Sequence, residues 1–232
     1  MDRLRDVAEH LDGDLDDPGA LVQNLRDLTR LNRLTGGTKL SARALAMLDP
    51  AGRSATILDV GTGAADIPLA FLADARRAGR PLAVTATDSR AEVLTAAGVA
   101  RPGLDRVAGL QLAMADGRSL PYPDAAFDVA HASLVLHHLE PPDAVAFLRE
   151  LRRVARTGIV VNDLVRGRHF WLGAWVLVHT VARGRYTRHD GPLSVRRAYR
   201  PAEIRRLMSD AGLTPVATVL GFAGHRQAIA AR

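Results

Sequence analysis

The residues best suited to chemistry stand around a glycine turn in the first third of the chain. An apolar, β-rich run at residues 56–60 leads directly into Gly61, Thr62 and Gly63. Glycine permits positive φ and lets a ligand approach the bare backbone, and Asp66 can cap the helix that follows. A buried strand, a glycine turn and a helix N-terminus together predict a site for a nucleotide-type ligand.

The acidic residues around this turn argue against a dinucleotide. Asp66 occupies the place of the third glycine in the pattern G-x-G-x-x-G. Asp59, at the end of the strand, suits an ammonium group better than a pyrophosphate. The turn alone is equally typical of an ordinary strand-to-helix connection, so the downstream segments must decide.

Two further strand-like runs also end in aspartate. Residues 82–87 stop at Asp88, and residues 110–115 stop at Asp116 and Gly117. An acidic residue at the carboxyl end of a neighbouring strand is where a ribose diol is gripped by a bidentate acceptor. We therefore interpret Asp88 as a ribose ligand; the alternative is a cap for the helix that follows it.

These segments, in this order, resemble the class I S-adenosylmethionine-dependent methyltransferases, whose first motif reads (D/E)-x-G-x-G. The stretch from Pro121 to Asp128 matches the family's P-(F/Y)-x-D-x-x-F-D segment before the fourth strand. The resemblance covers roughly residues 54–232 and implies S-adenosyl-L-methionine as cofactor. It assigns cofactor binding to Asp59, Gly61, Thr62, Gly63, Asp66, Asp88, Ser89, Asp116, Gly117 and Ser133.

The fold that the resemblance implies is α/β and Rossmann-like. We expect a seven-stranded sheet, six strands parallel and one antiparallel, with helices on both faces. Residues 1–50 would form an N-terminal helical cap and residues 51–232 the cofactor-binding domain, with a substrate lid at 164–200 after the fifth strand. The apolar spacing of Leu4, Val7 and Leu11 predicts the first helix of the cap.

Histidines follow the fourth strand, at the edge where open α/β sheets bind ligands. His137 aligns with the general base of the L-H-D-W segment in plant-type small-molecule O-methyltransferases, although His138 and Leu139 replace Asp and Trp. A double histidine also occurs in members whose acceptor atom is not oxygen, where it is architectural. His138 and His189 are the further acid/base candidates, and we expect no metal because Ala132 and Ser133 stand where catechol-type enzymes place a carboxylate.

The segment between the fifth strand and the last helix should carry substrate identity. It holds half of the chain's aromatic residues, a composition typical of a pocket wall for a flat or lipid-like acceptor. Its apolar stretch at 170–182 is interpreted as a buried lid helix, with membrane-surface contact as the alternative. Its arginines either solvate the surface or hold an anionic group or partner. The candidate substrate residues are Asn162, Trp171, Trp175 and Tyr186.

Composition limits the remaining possibilities. The chain has 232 residues, a net charge of +6 and no cysteine, so disulfides and thiolate chemistry are excluded. The charge is almost entirely arginine spread along the chain, so we expect no nucleic-acid partner. We expect a cytoplasmic protein without a transmembrane segment; peripheral membrane contact and a homodimer stay open.

Taken together, the sequence predicts a methyltransferase for a small hydrophobic acceptor, with O-methylation of an aromatic or polyketide-like hydroxyl in secondary metabolism preferred. The alternatives are C-methylation of a quinone or lipid, a nucleic-acid methyltransferase, and a non-methylating cofactor-binding cyclase or regulator.

Overall fold

The computed structural model describes residues 1–5 and 7–232, and within them the chain forms seven strands and eight α-helices. The strands are β1 (Thr56–Val60), β2 (Ala83–Asp88), β3 (Leu110–Met114), β4 (Phe127–Ser133), β5 (Ala155–Leu164), β6 (Pro215–Leu220) and β7 (Arg226–Ala231). The helices are α1 (Pro18–Thr35), α2 (Gly37–Leu48), α3 (Asp66–Arg77), α4 (Ala91–Ala100), α5 (Pro141–Val154), α6 (Arg168–Val181), α7 (Arg185–Arg197) and α8 (Pro201–Asp210).

All seven strands form one sheet in the order β3-β2-β1-β4-β5-β7-β6. The first five are parallel to their neighbours, and β7 runs antiparallel to both β5 and β6. This confirms the expected sheet of six parallel strands and one antiparallel strand. The chain order reverses between β1 and β4, and such a switch point opens a crevice at the carboxyl ends of the strands.

Both faces of the sheet are buried, which explains why its strands are almost continuously apolar. Successive residues point to opposite faces: Ile57 packs with α2 and α3, whereas Leu58 packs with α5 and α8. Each fully buried aliphatic side chain contributes about 1.5–3 kcal/mol relative to exposure. These two layers hold the strand ends, and therefore the crevice, in place.

The N-terminal segment differs from the expectation. Apart from a single 3-10 turn, His10–Asp12, the described residues before α1 are not helical. The segment is fixed by specific polar contacts with α7 and α5: the Leu4 amide donates to the Arg196 carbonyl, and Arg3 pairs with Glu140 at 2.7 Å. Its apolar spacing therefore does not reflect a helix, because individual hydrogen bonds position it rather than an amphipathic face.

Residues 164–200 contain α6 and α7, which pack against each other and against α1. His189, Asp190 and Gly191, expected in a loop, lie inside α7. The outer face of α6 exposes Leu172, Trp175 and Val176. None of the helices in the described part of the chain combines the length and apolarity needed to cross a membrane.

Candidate active site

A cavity of 760 Å³ lies at the carboxyl ends of β1, β2 and β4. Nine of the ten residues expected to bind the cofactor line it. This is the crevice predicted by the reversal of strand order, and its volume lies in the range of small-molecule and cofactor sites. The nine are Gly61, Thr62, Gly63, Asp66, Asp88, Ser89, Asp116, Gly117 and Ser133.

The glycine turn forms the floor of this cofactor cavity. Gly61 and Gly63 have φ values of 71° and 51°, in the left-handed region that favours glycine. A Cβ on Gly61 would also lie 2.4 Å from Cγ2 of Val135. The buried Thr62 hydroxyl has no hydrogen-bond partner among the described residues, so the turn offers it to a bound ligand.

Asp88 both supports the glycine turn and borders the cavity. Its carboxylate accepts hydrogen bonds from the Gly63 amide at 3.2 Å and the Arg90 amide at 3.3 Å. Burial raises its pKa above the ordinary value, and the two amide donors partly offset that effect. A bidentate acceptor held in this way can take a ribose diol with its remaining lone pairs.

The other three aspartates differ in their placement. Asp66 lines the cavity and accepts from Asn32 at 3.1 Å; it is the first residue of α3 and does not cap it. Asp116 lies at the exposed rim, paired with Arg118 at 3.0 Å. Asp59 does not line the cavity: the pleat of β1 turns its side chain toward α2, where it hydrogen-bonds His131. Asp59 is therefore placed to order the sheet rather than to touch a ligand.

A second cavity, of 560 Å³, adjoins the first and is lined mainly by apolar side chains. Leu28, Leu134 and His138 border both cavities, so an occupant of one would meet an occupant of the other. We call the second one the acceptor cavity. Its remaining wall comes from α1, α6, α7 and the loop before β7, and includes Leu31, Phe170, Leu177, Val195 and Phe222.

His137 is the histidine most firmly held at this cavity. It is buried, and its Nδ1 lies 2.7 Å from the Asp163 carboxylate, which also accepts from the His137 amide at 3.0 Å. Burial by itself raises the pKa of Asp163, but the contacts with His137 outweigh it and lower that pKa. A carboxylate on Nδ1 leaves the lone pair on Nε2, which is the arrangement of an oriented general base.

Glu9 is a third titratable group at the same place. Nε2 of His137 lies 3.9 Å from one of its oxygens, and Nε2 of His138 lies 4.0 Å from the other. Burial raises the pKa of Glu9 to about 7, although His138, Ser194 and Arg197 act in the opposite direction. Glu9 can therefore exchange a proton near neutral pH.

The ligand atoms of Glu9, His137 and His138 lie within 4.8 Å of one another, and these residue types can hold a metal ion. The expectation of no metal did not foresee this cluster. The Glu9 carboxylate already accepts from Ser194 at 2.8 Å and faces Arg197 at 3.4 Å. Protein groups therefore compensate its charge without an ion.

Several other residues proposed from the sequence lie outside both cavities. Helix α6 turns Phe170, Ala174 and Leu177 inward, so Trp171 and Trp175, one position further along, face away. Tyr186 is buried in the core beside α1 and α4 and stacks on His10. His189 is half exposed and also contacts His10, while Asn162 is fully buried beneath the acceptor cavity.

Sequence comparison identifies the region that carries the cofactor cavity. A family model described as "Methyltransferase domain" matches residues 58–161. Residues 58–161 form a class I S-adenosylmethionine-dependent methyltransferase domain. The family expected from the sequence is thus confirmed, and S-adenosylmethionine is the cofactor of this methyltransferase domain.

Known proteins resemble the methyltransferase domain and its surroundings to different extents. The ubiquinone/menaquinone biosynthesis C-methyltransferase of Rickettsia akari is 33% identical over 100 residues, which are 43% of this chain and only 40% of that relative. A methyltransferase structure from Aquifex aeolicus covers 93% of this chain and 97% of its own, with a TM-score of 0.63 and 22% identity. The mitomycin 7-O-methyltransferase covers 94% and 58%, with a TM-score of 0.67 and 20% identity. The structural likeness shows the fold.

The methyltransferase cavity fits this cofactor on its own observations. The bare glycine turn and the unpartnered Thr62 hydroxyl face the amino-acid portion of the crevice, and Asp88 presents carboxylate oxygens suited to a ribose. The carboxylates of Asp66, Asp88 and Asp116 give this part of a basic protein an acidic lining, which suits a cationic ligand.

Sequence reasoning missed Glu9 and Arg226 and did not assign Asp163 a role. Asp163 could have been found, since it stands at the carboxyl end of β5, on the edge that carries His137. Nothing in the sequence near Glu9 or Arg226 signals their position. Both reach the site only through tertiary packing.

Proposed function

We propose that this protein transfers the methyl group of S-adenosylmethionine to a hydroxyl on a flat, hydrophobic acceptor of the aromatic or polyketide type. The observation that carries the proposal is the Asp163-oriented His137 in an apolar cavity that adjoins the cofactor cavity. An acidic hydroxyl placed there would have both a proton acceptor and a neighbouring methyl donor.

The chain's own residues would act in two ways. S-adenosylmethionine, when bound, supplies a methyl group on a sulfonium, and the electron pair of the broken C–S bond remains on sulfur. Nε2 of His137 takes the hydroxyl proton as the oxygen bonds to carbon, and Asp163 stabilises the resulting imidazolium. The apolar walls hold the acceptor against Leu134 and His138 and exclude water, so proximity supplies much of the acceleration.

A second candidate is methylation of a ring carbon of a quinone-type acceptor. The observation that favours it is the Rickettsia akari relative, whose name states C-methylation, although the match spans less than half of either chain. The same proton transfer to His137 would then activate a carbon beside the ionised oxygen.

The test is turnover with S-adenosylmethionine labelled with ¹³C in its methyl group, offered with naphthols, hydroxyanthraquinones and reduced naphthoquinones. We expect a labelled methyl ether, which its carbon chemical shift distinguishes from a methyl on carbon. A carbon-bound methyl would replace the first candidate by the second. Tight cofactor binding without transfer to any acceptor would indicate a cofactor-binding regulator instead.

A further inference from the structure

Arg226 is a buried arginine in the wall between the two cavities. It opens β7, pairs in register with Leu164 of β5, and is only 2% exposed. Its own side chain borders the acceptor cavity, whereas Asn32 and Ser133, both of which it contacts, border the cofactor cavity. It therefore stands close to where methyl donor and acceptor must meet.

All hydrogen bonds that Arg226 makes within the described chain go to uncharged oxygens. Nε donates to Asn162 at 2.6 Å, Nη1 to Asn32 at 2.7 Å and Nη2 to Ser133 at 2.7 Å. A guanidinium carries five N–H donors, so one hydrogen on each terminal nitrogen has no acceptor among the described residues. Gly37 makes room for this arrangement, because a Cβ there would lie 2.3 Å from Nη1.

The other two buried arginines are treated differently by the fold. Arg166 pairs with Glu203 at 2.7 Å, and Arg197 pairs with Glu9 and Asp12. Arg226 has no carboxylate within 4.0 Å among the described residues. Burying a cation without a counterion is costly, so a fold that pairs its other buried arginines leaves this one exceptional.

The carboxylates nearest in effect to Arg226 have partners of their own. Asp66 accepts from Asn32, and Asp163 is held by His137. Burial lowers the pKa of Arg226 to about 10, so it still carries its charge at neutral pH. The site thus holds a permanent positive charge with two free donors beside an apolar cavity.

We propose that Arg226 binds a negatively charged oxygen of the acceptor, either a phenolate or a carboxylate, at the reacting end of the acceptor cavity. This inference rests on the proposed function and narrows its substrate class. A bare guanidinium would repel the cationic sulfonium of the methyl donor, whereas an oxyanion between the two cations attracts both. The proton that the acceptor loses goes to His137, and the oxygen that remains charged receives the free N–H donors.

The test uses matched aromatic probes and the protein saturated with S-adenosylhomocysteine, so that no methyl transfer occurs. The first pair is 2-naphthoate and 2-naphthamide, which differ mainly in charge, with binding measured calorimetrically. The second probe is 4-nitrophenol, whose phenolate absorbs visible light and reports its own ionisation when bound. These two arms separate a carboxylate acceptor from a phenolate acceptor.

We expect 2-naphthoate to bind about tenfold or more tightly than 2-naphthamide, or bound 4-nitrophenol to be more ionised than free 4-nitrophenol at the same pH. Arg226→Met should remove the preference and Arg226→Lys should keep part of it. Arg166→Met should leave the preference unchanged, because Arg166 borders neither cavity.

Equal binding of the two naphthalene probes together with unshifted ionisation of 4-nitrophenol would overturn the inference, and so would absence of probe binding while S-adenosylhomocysteine binds. These measurements on the unaltered protein decide the question even if Arg226→Met fails to fold. Failure to bind S-adenosylhomocysteine would instead refute the proposed function.

Discussion

The cofactor cavity and the acceptor cavity are neighbours but are built in different ways. The first is formed largely by strand ends and the turns that directly follow them, so its residues are close together in sequence. The second draws on the N-terminal segment, α1, α6, α7 and the start of β7. The hydrogen bond between Arg226 and Asn32 joins residues 194 positions apart.

The two cavities also differ in polarity. Carboxylates and bare backbone groups line the cofactor side, whereas the acceptor side is apolar except for one titratable cluster and Arg226. The difference implies that cofactor binding and acceptor chemistry can be altered separately. The predictions below test that separation.

The largest expected effect is on turnover. His137 borders only the acceptor cavity, so His137→Gln should lower the rate of methyl transfer about 10²- to 10⁴-fold, the usual contribution of a positioned acid/base group. Affinity for S-adenosylmethionine should stay unchanged. Single-turnover kinetics and calorimetry measure the two quantities.

The matched control is His179→Gln, which alters an exposed histidine on the outer part of α6. It should leave both quantities unchanged. If His137→Gln weakened cofactor binding as much as turnover, the two cavities would not be separable as proposed.

Asp88→Ala should have the converse effect. Removal of a charged acceptor that also holds the Gly63 amide should weaken S-adenosylmethionine binding about 100-fold. Binding of an aromatic probe in the acceptor cavity should change little. Asp105→Ala, an exposed aspartate outside both cavities, serves as the control in the same calorimetric titration.

How much the sequence could predict follows from the same contrast. The glycine turn, Asp88 and Asp116 belong to strand-turn units whose geometry is set locally, so their positions could be predicted from type and spacing. Asp59 is the exception, because its spacing fits the motif but the pleat of β1 turns its side chain toward His131. Local pattern fixes which residues stand at a strand end better than which way each side chain points.

The acceptor cavity was less predictable for physical reasons. Helix α6 is apolar on nearly every side, so its sequence does not show which face is buried, and Trp171 and Trp175 were assigned to the wrong side of it. Glu9 belongs to a segment held by ion pairs instead of an amphipathic stripe. No local pattern encodes such contacts.

Glu9→Gln tests the acceptor side through stability. Between the ordinary pKa of 4.5 and about 7, the folded protein keeps a proton on Glu9 that the unfolded chain releases. The free energy of unfolding should therefore fall as pH rises through this window and stay low above it. Glutamine removes the titration but keeps an acceptor for Ser194, so the variant should be more stable than the natural chain by roughly 2 kcal/mol at pH 8 and about equal to it at pH 4.

Urea denaturation of both proteins at pH 4, 6 and 8 measures this difference. A gap between the two proteins that does not vary with pH would show that Glu9 has an ordinary pKa in the folded state. Cofactor affinity should be the same in both proteins, since Glu9 borders only the acceptor cavity.

The smallest expected effect distinguishes the two faces of α6. Phe170 borders the acceptor cavity, whereas Trp175 is 44% exposed on the opposite face and stacks on His179. Phe170→Ala should raise the KM for a hydrophobic acceptor about tenfold, because it removes a large apolar contact area. Trp175→Ala should leave KM and kcat unchanged with an acceptor in free solution. If Trp175→Ala alone raised KM, the aromatic pocket wall expected from composition would be right after all, and α6 would have to rotate when the acceptor binds.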